Sequence, residues 1–167
     1  MADILVLLVF PALIIAAAVT DIFTMTISNW ISIILVAAFG LAAYLTGMSG
    51  SETMSHLAAG FLVLCVGFGL FCFNIIGGGD AKFLAAIALW FGFGDILSLL
   101  MVTALFGGPL CLLLVILRKH PLPGWFADQE WAKRLHSKDT GAPYGVAIAA
   151  ATLVLYADTP VMEAFVL

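Results

Sequence analysis

Six stretches of this chain are so nearly free of charge that water cannot be their solvent. They fall at about 4–20, 30–46, 55–76, 81–93, 96–117 and 144–166. Most reach the roughly 17–25 residues needed to cross ~30 Å of hydrocarbon. The fourth does not: at ~1.5 Å per residue it spans only ~20 Å, so it ends partway through a bilayer or sits in thinned lipid. Composition agrees, with 64% of the 167 residues hydrophobic, 10% charged and a mean hydropathy of +1.20, far from the usage of soluble domains. The expected fold is all-α, a polytopic membrane protein with six transmembrane helices, the fourth short, forming a single membrane-embedded domain over 1–167. The first stretch ends in Ala16-Ala17-Ala18 like a signal peptide, but no Lys or Arg precedes it, so it reads as a retained span.

The basic residues set an expected orientation. With six spans, the connections at 21–29, 77–80 and 118–143 share one side. Lys82, Arg118, Lys119, Lys133, Arg134 and Lys138 all belong to it, and they are the six basic residues of the chain. The positive-inside rule places that side in the cytoplasm and both termini outside, as in a multi-pass protein of the cell's inner (cytoplasmic) membrane. The 118–143 loop is the one long polar stretch. Trp125, Phe126, Trp131 and Leu135 beside Lys133 and Arg134 predict a helix lying along the interface, although ordinary aromatic anchoring accounts for the same pattern.

Other chemistries find little support. A net charge of −4 lacks the basic face that nucleic acid demands, so the expected partners are membrane lipid and other membrane proteins. Cys65, Cys72 and Cys111 form no Cys-x-x-Cys pair and read as buried small apolar residues rather than a zinc or disulfide framework. His56 is expected near the far interface, and His120 and His136 lie in the polar loop; their spacing predicts no metal site, and no cofactor is implied.

Two acids stand out. Asp21 follows the first span and Asp80 precedes the fourth, which puts both at the cytoplasmic ends of helices, near membrane depth, where an ionised carboxylate is costly and by default functional. Each has a plainer reading: Asp80 as the N-cap of its helix, Asp21 as the mark of a span leaving lipid. As a pair they have a chemistry. Two carboxylates a few ångströms apart share one proton, so that one can deprotonate water while the other polarises a peptide carbonyl. That is aspartic proteolysis, without metal or covalent intermediate. Asp80, at the positive end of a helix dipole, is the expected base and Asp21 the expected acid.

Gly77, Gly78 and Gly79 precede Asp80. No Gly-Lys-Ser/Thr follows, which disfavours a phosphate loop. They read either as a flexible turn or as a place where a substrate backbone comes close to Asp80.

Gly77-Gly78-Gly79-Asp80 resembles the Gly-x-Gly-Asp motif of intramembrane aspartyl proteases, and the following Ala81-Lys82 is similar to the Gly-Asp-x-Lys of type IV prepilin leader peptidases. Asp21 with Ile27 and Asn29 resembles the Asp-x5-Ile-Pro-Asn stretch of that family, with Ser28 where Pro is usual. Pro143-Tyr144-Gly145 resembles the Pro-Tyr-Gly opening of its last helix. The resemblance implies catalytic Asp21 and Asp80, and substrate-binding or motif roles for Gly77, Gly78, Gly79, Lys82, Asn29, Pro143, Tyr144 and Gly145. Lys82 serves equally well as a positive-inside anchor. The implied substrate is the helix of a type IV prepilin or pseudopilin, whose short basic leader is cut in the cytoplasm after a Gly, with a Glu a few residues downstream. Only about eight residues join the first two helices, where longer members carry a Cys-x-x-Cys insert. The resemblance is therefore to the short form of Flp (tight-adherence) pili, with no methyltransferase activity expected. An archaeal-type preflagellin peptidase shares the motif pair. A proton- or ion-coupled transporter subunit, or a non-catalytic assembly subunit, would also hold paired acids.

Overall fold

The computed structural model describes residues 8–126 and 128–156. Among them every regular element is helical: α1 (Phe10–Thr24), α2 (Asn29–Thr46), α3 (Gly50–Cys72), α4 (Gly78–Leu117), α5 (Glu130–His136) and α6 (Tyr144–Leu155), with a 3₁₀ turn at Gly124–Phe126. By length and composition α2, α3 and α4 can each cross a membrane, whereas α1 and α6 are shorter apolar helices. The outer parts of the first and last apolar segments, 4–7 and 157–166, lie outside the described residues.

Local chemistry sets several boundaries. Pro11 opens α1, where its missing N–H costs nothing. Between α2 and α3, Gly47 takes a left-handed C-cap. Ser49 and Glu52 then form a reciprocal capping box, the Glu52 N–H donating to Ser49 Oγ at 3.2 Å and the Ser49 N–H to Glu52 Oε2 at 3.0 Å. The connection expected over 47–54 therefore shrinks to three residues.

The fourth and fifth apolar segments are continuous in helical character but not in direction. Gly92 breaks α4 with φ 64° and ψ −175°, a conformation essentially reserved for glycine. A straight helix would hold Asp80 and Gly107 ~40 Å apart at ~1.5 Å per residue. Instead Gly107 is in contact with the Tyr144 ring, and Asp80 lies within electrostatic range of the same side chain. The chain thus folds back at Gly92 into two limbs, 78–91 and 93–117. The reversal expected at 94–95 occurs earlier, and Gly94 and Asp95 are helical. One glycine replaces a loop because the break frees only a few backbone groups. The Leu89 carbonyl, which a continuous helix would pair with the Phe93 N–H, meets His56 Nδ1 at 2.6 Å. A carbonyl only accepts, so Nδ1 carries the proton and donates. His56 is buried, two turns into α3, stacked on Phe39 and against Gly92.

The interior is built of small residues and a few aromatics. Ala17, Ala81, Ala85, Ala88, Ala149 and Ala151 are buried, while Phe61, Phe68, Leu105 and Leu112 face outward. This is the packing of helices in lipid, where close backbone approach rather than burial of bulk holds neighbours together. Phe10, Phe39 and Trp90 form an aromatic plug, with Phe10 and Trp90 centroids 4.5 Å apart and Trp90 Nε1–H donating to the Leu35 carbonyl at 3.2 Å. The cysteines depart from expectation: Cys65 and Cys72 are exposed and Cys111 is half-buried. In a bundle whose solvent is lipid, a small apolar thiol gains little by facing inward.

Arg118, just after α4, holds the far part of the polar stretch: its guanidinium donates to the carbonyls of Leu135 (2.9 Å), Thr140 (3.1 Å) and Gly141 (2.8 Å). Within this stretch the one α-helix among the described residues is α5. It rests on α1 through Trp131 and Phe23, whose rings are 5.5 Å apart.

Candidate active site

Asp21 lies inside α1, one turn before its end, rather than beyond the span as expected. The residue is 4% exposed, and its Oδ2 accepts the Gly145 N–H at 2.8 Å. Gly145 is the second residue of α6, whose own N-cap, Pro143, supplies no side-chain acceptor. The first N–H groups of a helix have no partner within it and carry its positive dipole end. A carboxylate from α1 therefore caps α6 from outside. A Cβ at 145 would stand 2.8 Å from Asp21 Oδ2 and 2.7 Å from Ile27 Cδ1, so glycine there lets both side chains keep their positions.

Asp80 is the third residue of α4, and Gly77, not Asp80, is the N-cap. The plainer reading of Asp80 needs that correction: it is the third helical residue, and its Oδ2 lies 2.9 Å from a Cβ built on Gly77. It lies within electrostatic range of Asp21. Ile27 stands between the two helix starts, 3.5 Å from a Cβ built on Gly79 and touching one built on Gly145. The structure thus gathers Asp21, Ile27, Gly79, Asp80, Tyr144 and Gly145. Asp80 sits in the first turn of α4, and Asp21, in the last turn of α1, faces the first turn of α6, so a helix N-terminus meets each acid and the dipole argument for Asp80 as base no longer separates their roles.

Other motif residues are placed elsewhere. Lys82 follows Asp80 by two residues, ~200° around the helix, and its Nζ donates to Asn29 Oδ1 at 3.1 Å. Among the described residues it forms no ion pair, so it is not in direct contact with either acid. Gly78 packs beneath the Phe71 ring, 3.2 Å from a built Cβ. Ser28 is the N-cap of α2 with φ −64°, an angle that proline shares. Sequence reasoning missed Gly107 as the seat of the Tyr144 ring, although Gly107-Gly108-Pro109 inside an apolar run was a signal. It also missed His56 as the cap of a broken helix. Among the described residues no three of His, Cys, Asp or Glu cluster as a metal site.

An apolar bundle with three helices long enough to cross a membrane is that of a membrane protein. The chain belongs to the type IV leader peptidase family, whose model matches residues 8–112, and it is a leader-peptidase-like protease. Comparison with curated proteins and with solved structures gives no significant match. The matched span includes Asp21, Asn29, the Gly77–Asp80 turn and Lys82. It stops short of Pro143-Tyr144-Gly145, so the link between Asp21 and α6 is a finding of the geometry.

Proposed function

We propose that this chain is an intramembrane aspartic endopeptidase that removes the leader of type IV, Flp-like prepilins or pseudopilins at the cytoplasmic face of the inner membrane, with Asp21 and Asp80 as its catalytic pair. The observation that carries this reading is that Asp21, bonded to the start of α6, and Asp80, at the start of α4, lie within electrostatic range of each other in a chain of the leader peptidase family.

In this reading one carboxylate is ionised and takes a proton from water, whose oxygen attacks the scissile carbonyl carbon. The other, protonated, gives its proton to the carbonyl oxygen, forming a tetrahedral diol. Collapse of the diol breaks the C–N bond. The leaving nitrogen takes a proton from the carboxyl group that gained one from water, and the diol proton returns to its partner. The products are a free leader carboxylate and a new amino terminus, and the pair is restored. The Gly145 N–H holds the Asp21 carboxylate in place through these steps.

The test is cleavage of Flp-type prepilins by purified protein in liposomes, comparing wild type with Asp21→Asn and Asp80→Asn after both are shown to be folded. Loss in both variants is expected. Full activity in either overturns the pair, and no activity in wild type across several prepilins favours a transporter or assembly role instead.

A further inference from the structure

A groove of about 670 Å³ lies on the face of α4 opposite Asp80. Three helices line it, and each does so at positions i, i+3, i+4 and i+7, beginning at Asn29 on α2, Leu57 on α3 and Lys82 on α4. Seven residues are two helical turns, ~10.5 Å, so the three stripes have equal length. An i, i+3, i+4, i+7 stripe is the face that one helix offers another. Three of them around one space describe a bundle short of one member.

Dimensions agree. Two turns of a helix ~10 Å across occupy about 800 Å³, so an open groove of 670 Å³ holds most of them. The walls are large and exposed, Ile33 at 54% and Phe61 at 67%, whereas Ala85 and Ala86 on the floor are buried. Small floor residues allow the backbone approach that packs helices in lipid. A flexible acyl chain has no need of three stripes in register. At one end stands Lys82, whose ammonium has the Asn29 amide and, among the described residues, no carboxylate.

We propose that this groove seats the first apolar helix of the leader-bearing substrate as a fourth member beside α2, α3 and the first limb of α4, with Lys82 pairing an acidic side chain in that helix's opening turns. The proposal rests on the protease reading above. It adds a distance: groove and acids lie on opposite sides of α4, so the substrate must cross the start of α4 between them. Passing a helix ~10–12 Å wide takes about three to four extended residues at ~3.3 Å each. The scissile bond therefore precedes the first groove contact by about that many residues.

The test places a photo-reactive residue at Ile33, at Phe61 or, outside the groove, at Leu105, in the Asp80→Asn protein reconstituted with a Flp-type prepilin. Crosslinks to the prepilin from 33 and 61, and not from 105, are expected. Equal capture from 105, capture only of a second copy, or capture of lipid alone overturns the groove. In the active protein, Ser32→Trp and Ile33→Trp are expected to raise KM about tenfold or more, equivalent to about 1.4 kcal/mol, with kcat held and Leu105→Trp unchanged. Lys82→Glu is expected to lower kcat/KM similarly and to be rescued by exchanging the substrate acid for Lys; failure of rescue removes the charge pairing. Undiminished cleavage by the Trp variants overturns the groove and leaves the protease standing. A wild-type protein that cleaves nothing overturns the protease, while the crosslinks still decide the groove.

Discussion

Oδ2 of Asp21 accepts the backbone N–H of Gly145 at 2.8 Å, a contact between residues 124 positions apart that ties the start of the last described helix to the first. The same oxygen that caps α6 belongs to one of the two acids proposed to activate water, so the fold and the chemistry share an atom.

Substitutions at Asp21 separate those two duties. Asn retains an oxygen for the Gly145 N–H, so Asp21→Asn should melt close to wild type while losing about 10²–10⁴-fold in kcat. Ala leaves a buried N–H without a partner and should cost a further ~1–3 kcal/mol of stability. Thermal unfolding in detergent beside a cleavage assay distinguishes them; equal melting of the two variants would mean that the contact carries no stability.

Gly145→Ala keeps every polar group but places a methyl 2.8 Å from the carboxylate. The carboxylate or α6 must move, at the ~1–3 kcal/mol typical of overpacking. Cleavage should fall more steeply than the melting temperature. A variant with full kcat would show that Asp21 does not need its present position.

His56→Ala removes the donor to the Leu89 carbonyl and should destabilise by ~1–3 kcal/mol for the unsatisfied buried acceptor. Gly92→Ala should cost a similar ~1–3 kcal/mol, since its φ is positive and its Cβ would stand 2.9 Å from the His56 ring. Because both act on the fold-back of α4, the double variant should cost less than the sum. Strict additivity, read from unfolding in detergent, would count against a shared function at the break.

Activity should be bell-shaped in pH. When both acids are protonated neither can take a proton from water, and when both are ionised neither can donate to the carbonyl, so kcat falls on each side. The two limbs belong to the pair and not to either residue. A profile with a single limb would argue against a shared proton.

Ser28→Pro should be tolerated or stabilising by about 0.4–1 kcal/mol. Ser28 already has φ −64° at the start of α2, and its N–H makes no backbone hydrogen bond among those of the described turns and caps. A lowered melting temperature would show that the hydroxyl or the N–H has a partner outside this geometry.

Much of the candidate site was legible from local pattern. Asp21 and Asp80 interrupt apolar runs, and charge in such a setting is expensive enough to mark function. Gly77-Gly78-Gly79-Asp80 announced a helix start beside an acid. Lys82 was legible as a residue but not as a neighbour, because two positions along a helix turn a side chain to the opposite face and onto Asn29. The cysteines were misread for a related reason: in an apolar run, inward and outward positions carry the same hydrophobicity, and periodicity cannot tell them apart.

By itself the sequence determined the solvent of this protein, its helical class and its family motifs, because those follow from the cost of burying charge and backbone in hydrocarbon. It could not determine which helices meet. That Asp21 caps α6, that α4 folds back at Gly92 under His56, and that three stripes leave a helix-sized groove all depend on contacts between residues far apart in the chain. In uniformly apolar helices such contacts are chosen by the fit of small residues, and only the tertiary structure displays that fit.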